Sequence, residues 1–132
     1  GGVERVGGKL YTARGHRHMV VRKPARRPVL GLAYHPVKRG CMPSVDPMFE
    51  TIAESFDGKV AGVLLSGMGR DGSDGAQSIV NAGGSMYAQD AETCAVWGMP
   101  RAVTELGLAT AVLPPAELAD ALVDNAGAGA WK

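Results

Sequence analysis

The sequence predicts an α/β chain: a doubly wound, mostly parallel sheet with an N-terminal β-hairpin, incomplete at one edge. Three observations predict it. Between Val60 and Gly75 a short apolar run (Val60, Ala61, Val63, Leu64, Leu65) breaks into glycines and carboxylates and then opens an amphipathic pattern. That succession reads as a strand covered on both faces, a tight turn and a helix. It recurs twice more, giving three strand–helix units over 60–125. Yet a parallel sheet needs helices on both faces, and this chain has barely enough of them and no first strand–helix pair for the other edge. Part of a larger sheet is therefore expected to be absent, or its edge to come from another chain.

A length of 132 residues fits one domain, and 45% apolar residues suffice for a core of ordinary size. No run of 18 apolar residues and no charged-then-apolar leader is present, so neither a membrane span nor a signal peptide is expected. Cys41 and Cys94 stand far apart without a CxxC pair and read as reduced thiols of a cytoplasmic protein. The net charge of +1 hides an asymmetry: ten Lys or Arg against Glu4 alone up to Gly40, then four bases against twelve acids. Such a division marks a basic face for an acidic partner or a solvated Arg-rich hairpin. Aromatic residues do not alternate with the bases, so a nucleic-acid platform is not expected.

Taken in order, Gly1 to Gly8 reads as a loose lead-in. Lys9–Ala13 and His18–Val21 are strand-like and separated by a turn, and Val29–Ala33 adds a third strand, making a hairpin region over 9–33. Asp46 reads as the cap and Pro47 as the first helical residue of a helix over 46–57, with Met48, Phe49, Ile52, Ala53 and Phe56 facing inward. After the Val60 strand, Ser73 or Asp71 reads as the cap of a helix carrying Ala76, Ile79 and Val80, with Asp74 the plainer candidate. Gly83-Gly84 stops that helix, and Ser85–Gln89 is the second strand. Pro100–Leu106 is a helix ended by Gly107. Ala109–Leu113 is the third strand, and Pro115 opens a last helix with Leu118, Ala119, Leu122 and Val123 as its buried stripe. The tail from Gly127 reads as frayed.

Several patterns carry chemistry. Gly67-x-Gly69-x-x-Gly72 followed by Asp90, eighteen residues past Gly72, outlines a dinucleotide fingerprint. Asp71 opposes that reading, because its charge would face the pyrophosphate. At a helix N-terminus Asp71 reads instead as a cap, or as a carboxylate that orients a histidine from another loop. His16-x-His18 offers two metal ligands but no third at matching spacing, so no metal site is expected. No GxSxG elbow occurs, and Met68, Met86, Met99 and Trp97 read as core or crevice wall.

Together LLSGMGRDGSDG, the pair Gly83-Gly84, AQDAETCAVWGMPRAV and TAVLPPAELA resemble the C-terminal part of the catalytic domain of CheB-type chemotaxis protein-glutamate methylesterases. GGKLYTARGHRHMVV resembles the family's hairpin and CMPSVDPMFETIA its PSVD-led helix, so the likeness runs from about Val3 to Val123. The resemblance implies a cytoplasmic hydrolase that cleaves glutamate methyl esters on bacterial chemoreceptors and deamidates particular glutamines. It implies that Asp71 is the acid of a Ser-His-Asp triad and that the Met68 backbone N–H belongs to the oxyanion hole. The family's nucleophilic Ser and triad His lie upstream of the hairpin and have no counterpart here. His18 matches a hairpin position, not the triad His. Arg39-Gly40-Cys41-Met42 departs from the Arg-His-Arg that many relatives carry before PSVD. The chain, residues 1–132, is thus expected to be the C-terminal part of one catalytic domain, inert alone and without cofactor or metal. Its implied partners are the methylated cytoplasmic region of chemoreceptors, an N-terminal receiver domain as in many relatives, and a second copy along the open sheet edge. Asp71→Asn in a full-length enzyme is expected to leave the fold nearly intact. The rival expectations are a dinucleotide-binding module and a non-catalytic, partner-binding relative.

Overall fold

The structure is a computed structural model that describes residues 4–5, 8–24, 27–37 and 40–127. Two three-stranded sheets flank a pair of contacting helices. The antiparallel sheet has the order β1–β3–β2, from Glu4–Arg5 (β1), His18–Arg22 (β2) and Val29–Ala33 (β3). The parallel sheet has the order β4–β5–β6, from Ala61–Leu64 (β4), Ser85–Gln89 (β5) and Ala111–Leu113 (β6). The helices are Val45–Phe56 (α1), Ser73–Asn81 (α2), Met99–Glu105 (α3) and Pro115–Gly127 (α4).

The hairpin differs from the expectation. It joins β2 to β3, with His18 opposite Ala33 and Arg22 opposite Val29, whereas Lys9–Ala13 forms no strand. Tyr11, Thr12 and Ala13 instead line a hollow beside Met19, Leu30 and Leu32. β2 pairs along one edge of β3, and Glu4–Arg5, within what reads as a loose lead-in, pairs with Leu30 and Val29 on the other. At Val21, Thr51 Oγ1 of α1 accepts from the backbone N–H at 2.9 Å, and Ser55 Oγ donates to the carbonyl at 3.2 Å. These hydroxyls take up ladder groups that an exposed edge would leave to water. Residues 1–3 and 6–7 of the lead-in, Arg39 and the tail beyond Gly127 lie outside the described residues.

Parallel pairing puts Gly62 beside Met86 and Leu64 beside Ala88, so one face of the sheet carries Leu64, Met86 and Ala88 into the core. There they meet Phe49 and Ala53 of α1, Ala76 and Ile79 of α2 and Val103 of α3. The other face, with Val63 and Tyr87, receives α4, whose Asn125 Nδ2 donates to Tyr87 Oη at 2.9 Å. Of the stripe expected on α4, Leu118 is buried and Leu122 half-buried, while Ala119 and Val123 are exposed. Among the described residues the main contacts of α4 are with β5 and β6. Beside β4, whose outer edge has no strand among the described residues, Ile52, Phe56, Lys59, Val60 and Ala61 line an open hollow of about 340 Å³. Among the described residues the parallel sheet thus ends at β4 on that side, in line with the incomplete edge expected.

A glycine sets how closely α1 and α2 approach. A Cβ on Gly75 would lie 2.5 Å from Phe49 Cβ and 3.0 Å from the Asp46 carbonyl oxygen. Gly75→Ala should therefore destabilise the protein by about 1–3 kcal/mol, as overpacking of a well-filled core does. Urea unfolding is expected to show a lower midpoint with an unchanged slope. An unchanged midpoint would mean that the two helices separate freely.

Candidate active site

Two helix N-termini meet at the carboxyl end of β4, and each receives a carboxylate from the other helix's side. The cap of α1 is Ser44, one residue before the helix: its backbone is extended and its Oγ accepts from the Asp46 N–H at 3.3 Å. This corrects the assignment of Asp46 as cap. The Asp46 side chain turns instead to α2, where Oδ1 accepts from the Gly75 N–H at 2.8 Å. The local residue before α2 is Gly72, at φ 97°, which has no side chain to cap with. Neither Asp71 nor Ser73 caps α2. Ser73 Oγ donates to the Arg70 carbonyl at 2.7 Å and closes the turn. Asp74 lies in the first turn of α2.

Asp71 is 7% exposed and reaches across to α1. Its Oδ1 accepts from Ser44 Oγ at 2.6 Å and, more weakly, from the Asp46 N–H at 3.4 Å, while Oδ2 accepts from the Val45 N–H at 2.8 Å. Backbone donors at a helix N-terminus and a hydroxyl suit the ionised carboxylate, which accepts at both oxygens and donates at neither. They also fix its rotamer. Because Asn presents only one acceptor oxygen, Asp71→Asn would leave one of these donors facing an NH₂ group. Ser44 is fixed in turn: its N–H donates to Nδ1 of the fully buried His18 at 3.0 Å, and His18 Nε2 lies 2.7 Å from the His35 carbonyl oxygen. With both nitrogens of His18 engaged inside the protein and His16 exposed, His16-x-His18 does not present a ligand pair. Among the described residues no three His, Cys, Asp or Glu stand together as a metal site.

The turn that carries Met68 is held by the loop after β5. Gly67 donates to the Val96 carbonyl at 2.9 Å, and its own carbonyl accepts from Gly98 at 3.1 Å and Met99 at 2.9 Å. Ser66 Oγ lies 3.0 Å from the Val96 nitrogen and 3.2 Å from its oxygen, and Ser66 N–H donates to Gln89 Oε1 at 2.8 Å. A Cβ on Gly98 would lie 2.6 Å from the Gly67 oxygen, so only glycine permits this approach. Met68 sits at the apex with its side chain 82% exposed, and its backbone N–H has no partner among the described residues. Met86 is core and Trp97 and Met99 are half-buried, as expected of core or crevice wall, whereas the Met68 side chain is displayed to solvent. Met68 and Asp71 border one open hollow of about 360 Å³, together with Cys41, Gly69 and Arg70.

The dinucleotide geometry is not favoured. The Gly75 N–H that a pyrophosphate would need is taken by Asp46, and Asp90 Oδ1 accepts from the N–H and hydroxyl of Thr93, which makes it a turn residue. Burial, and then the Asp90 charge, push the Cys94 thiol above its ordinary value. Beside the paired helix ends, partial burial and then the charges of Asp46, Asp74 and Glu54 raise Glu50, with His35 opposing. Sequence reasoning missed Ser44, the Asp46–Gly75 bond and the role of His18. The Ser of PSVD, placed before a helical run, is the one local signal that could have revealed the first.

The family profile described as CheB methylesterase matches residues 2–122. A protein of Caulobacter vibrioides named protein-glutamate methylesterase/protein-glutamine glutaminase 2 is 49% identical over 110 residues, 83% of this chain and 32% of that protein. The similarly named protein of Azospirillum brasilense is 45% identical over 114 residues, 86% of this chain and 29% of that one. The chain thus spans about a third of the length of such relatives. The crystal structure of the Thermotoga maritima CheB methylesterase catalytic domain superposes with a TM-score of 0.84 at 32% identity, covering 92% of this chain and 67% of that one.

Asp46→Ala should cost about 1–2 kcal/mol in chemical denaturation by orphaning the Gly75 N–H, and Asp46→Asn, which keeps an acceptor, clearly less. Equal losses would show that charge rather than the hydrogen bond matters. Glu50 protonates more readily folded than unfolded, so its ionised form opposes folding. Glu50→Gln is therefore expected to stabilise the protein at pH 7, and the gain should vanish as the pH falls below the ordinary 4.5. A pH-independent difference in melting temperature would contradict this.

Proposed function

Because the chain belongs to the CheB methylesterase family, we propose that it supplies the triad acid and an oxyanion-hole donor of a protein-glutamate methylesterase and glutamine deamidase. The nucleophilic serine and the histidine base would come from outside residues 1–132. The observation that carries the reading is the state of Asp71: a buried carboxylate, locked by three donors, on the wall of the hollow that Met68 overlooks. A triad acid needs such immobilisation, since its work is to hold an imidazole in one tautomer and orientation and to stabilise the imidazolium.

On this reading the serine Oγ attacks the ester carbonyl carbon while the histidine takes its proton. Negative charge gathers on the carbonyl oxygen, where the Met68 N–H, aimed by the Gly67–Gly98 clasp, donates to it. Collapse expels methanol, which receives the proton from the histidine, and leaves an acyl-enzyme. Water then attacks, again deprotonated by the histidine, and glutamate is released with the serine restored. A glutamine side chain follows the same course with ammonia as leaving group. Asp71 remains ionised throughout.

The substrates on this reading are methylated glutamates in the cytoplasmic region of chemoreceptors, which places the protein in the cytoplasm. Among the described residues no helix is long and apolar enough to cross a membrane. The free edge of β4 and its apolar hollow support pairing with further strands, from the rest of the domain or from a second copy. An N-terminal receiver domain rests on the family resemblance alone.

In a complete enzyme carrying this segment, Asp71→Asn should lower turnover by up to about 10⁴-fold per folded molecule. Methanol release, with the folded fraction measured by circular dichroism, reads this out. Near-normal turnover per folded molecule would leave Asp71 as a cap only.

A further inference from the structure

We propose that His18 is a positioning residue for the hydrolysis, acting on Asp71 through Ser44. The inference rests on the reading of Asp71 as triad acid and adds a residue to it. His18 is fully buried, yet it is neither nucleophile nor base in that chemistry. What it does is geometric. The Ser44 backbone N–H can only donate, so His18 Nδ1 must be the accepting nitrogen at 3.0 Å. In the neutral ring the proton then sits on Nε2, which donates to the His35 carbonyl at 2.7 Å. The tilted His35 ring, 5.1 Å away between centroids, closes one side of the imidazole.

The chain of bonds runs in one direction. His35 carbonyl fixes His18, His18 fixes the Ser44 backbone, and Ser44 Oγ donates to Asp71 Oδ1 at 2.6 Å. The residue therefore ties β2 of the antiparallel sheet to the carboxylate at the rim of the parallel one. Without an acceptor at the Nδ1 position, the Ser44 N–H is buried without a partner and the segment before α1 must shift to find one. Asp71 would move with it, and small misplacements of catalytic groups cost large factors in rate. Being fully buried, His18 offers no surface to a substrate, so kcat rather than KM is where its effect is expected.

The test uses the complete enzyme. Asn places its carbonyl oxygen near the site of Nδ1, whereas Gln places its amide nitrogen near Nε2 and offers nothing to Ser44. His18→Gln is expected to lower kcat by roughly 10–100-fold per folded molecule with KM nearly unchanged, and His18→Asn by only a few-fold. Ser44→Ala, which keeps the N–H to His18 but removes the hydroxyl donor to Asp71, should lower kcat about tenfold. It also provides the answer if the His18 variants do not fold. ¹⁵N chemical shifts of the unsubstituted protein should show His18 with its proton on Nε2. A proton on Nδ1, equal kcat for the Asn and Gln variants after correction for folding, or an unaltered kcat in Ser44→Ala would overturn the proposal. If Asp71→Asn in the same protein also keeps its turnover, the reading of the site itself fails. If Asp71→Asn is inactive while these variants are not, only the role of His18 fails.

Discussion

The carboxylate of Asp71 against the first turn of α1 is the constraint on which this structure turns. A helix N-terminus has backbone N–H groups without partners in the helix, and a carboxylate needs donors when it is buried. Here the two needs are met across a gap of 25 to 27 residues, by the bonds of Asp71 to Val45, Asp46 and Ser44. The reverse bond, Asp46 to Gly75, is made over 29 residues. Two helices that cap each other cannot slide independently. The exchange fixes both their relative register and the height at which Asp71 stands above the sheet.

That arrangement places structural and chemical duties on one side chain. The same donors that stabilise α1 also immobilise the carboxylate and hold its charge in place, so stability and pre-organisation rise together at this point. The proposed oxyanion-hole side is built differently, mainly from backbone. Gly67 and Gly98 bring two loops into contact so that the Met68 amide is held at an apex, and Gln89 and Thr93 brace the loop from behind. Carboxylate and amide are thereby carried by one turn, six residues long from Gly67 to Gly72, anchored at one end to α1 and at the other to the loop before α3.

Much of this was legible in the residues. The break after Leu65, the glycines of the turn, Pro100 and Pro115 at helix starts and the alternation of β5 all act locally, and the structure places those elements within a residue or two of expectation. The motifs around Asp71 and Cys94-to-Pro100 carried the family. What was not legible are bonds made between distant segments. Asp46 has the composition of a local cap, but Ser44 stands in a better place for α1, which frees Asp46 for the other helix. Lys9–Ala13 has strand character, yet it is Glu4–Arg5 that pairs with Leu30 and Val29 on the outer edge of β3. His18 looks like any core histidine until its two partners, 26 and 17 residues away, are seen.

The central claim is that Asp71 is presented to an imidazole from outside these 132 residues while α1 keeps its grip on the carboxylate. A crystal structure of the complete enzyme tests this most directly. The account predicts a histidine ring nitrogen about 2.6–3.2 Å from an Asp71 carboxylate oxygen, with the bonds to Ser44 and Val45 intact. An Asp71 with no imidazole in reach, its oxygens satisfied by α1 alone, would contradict it.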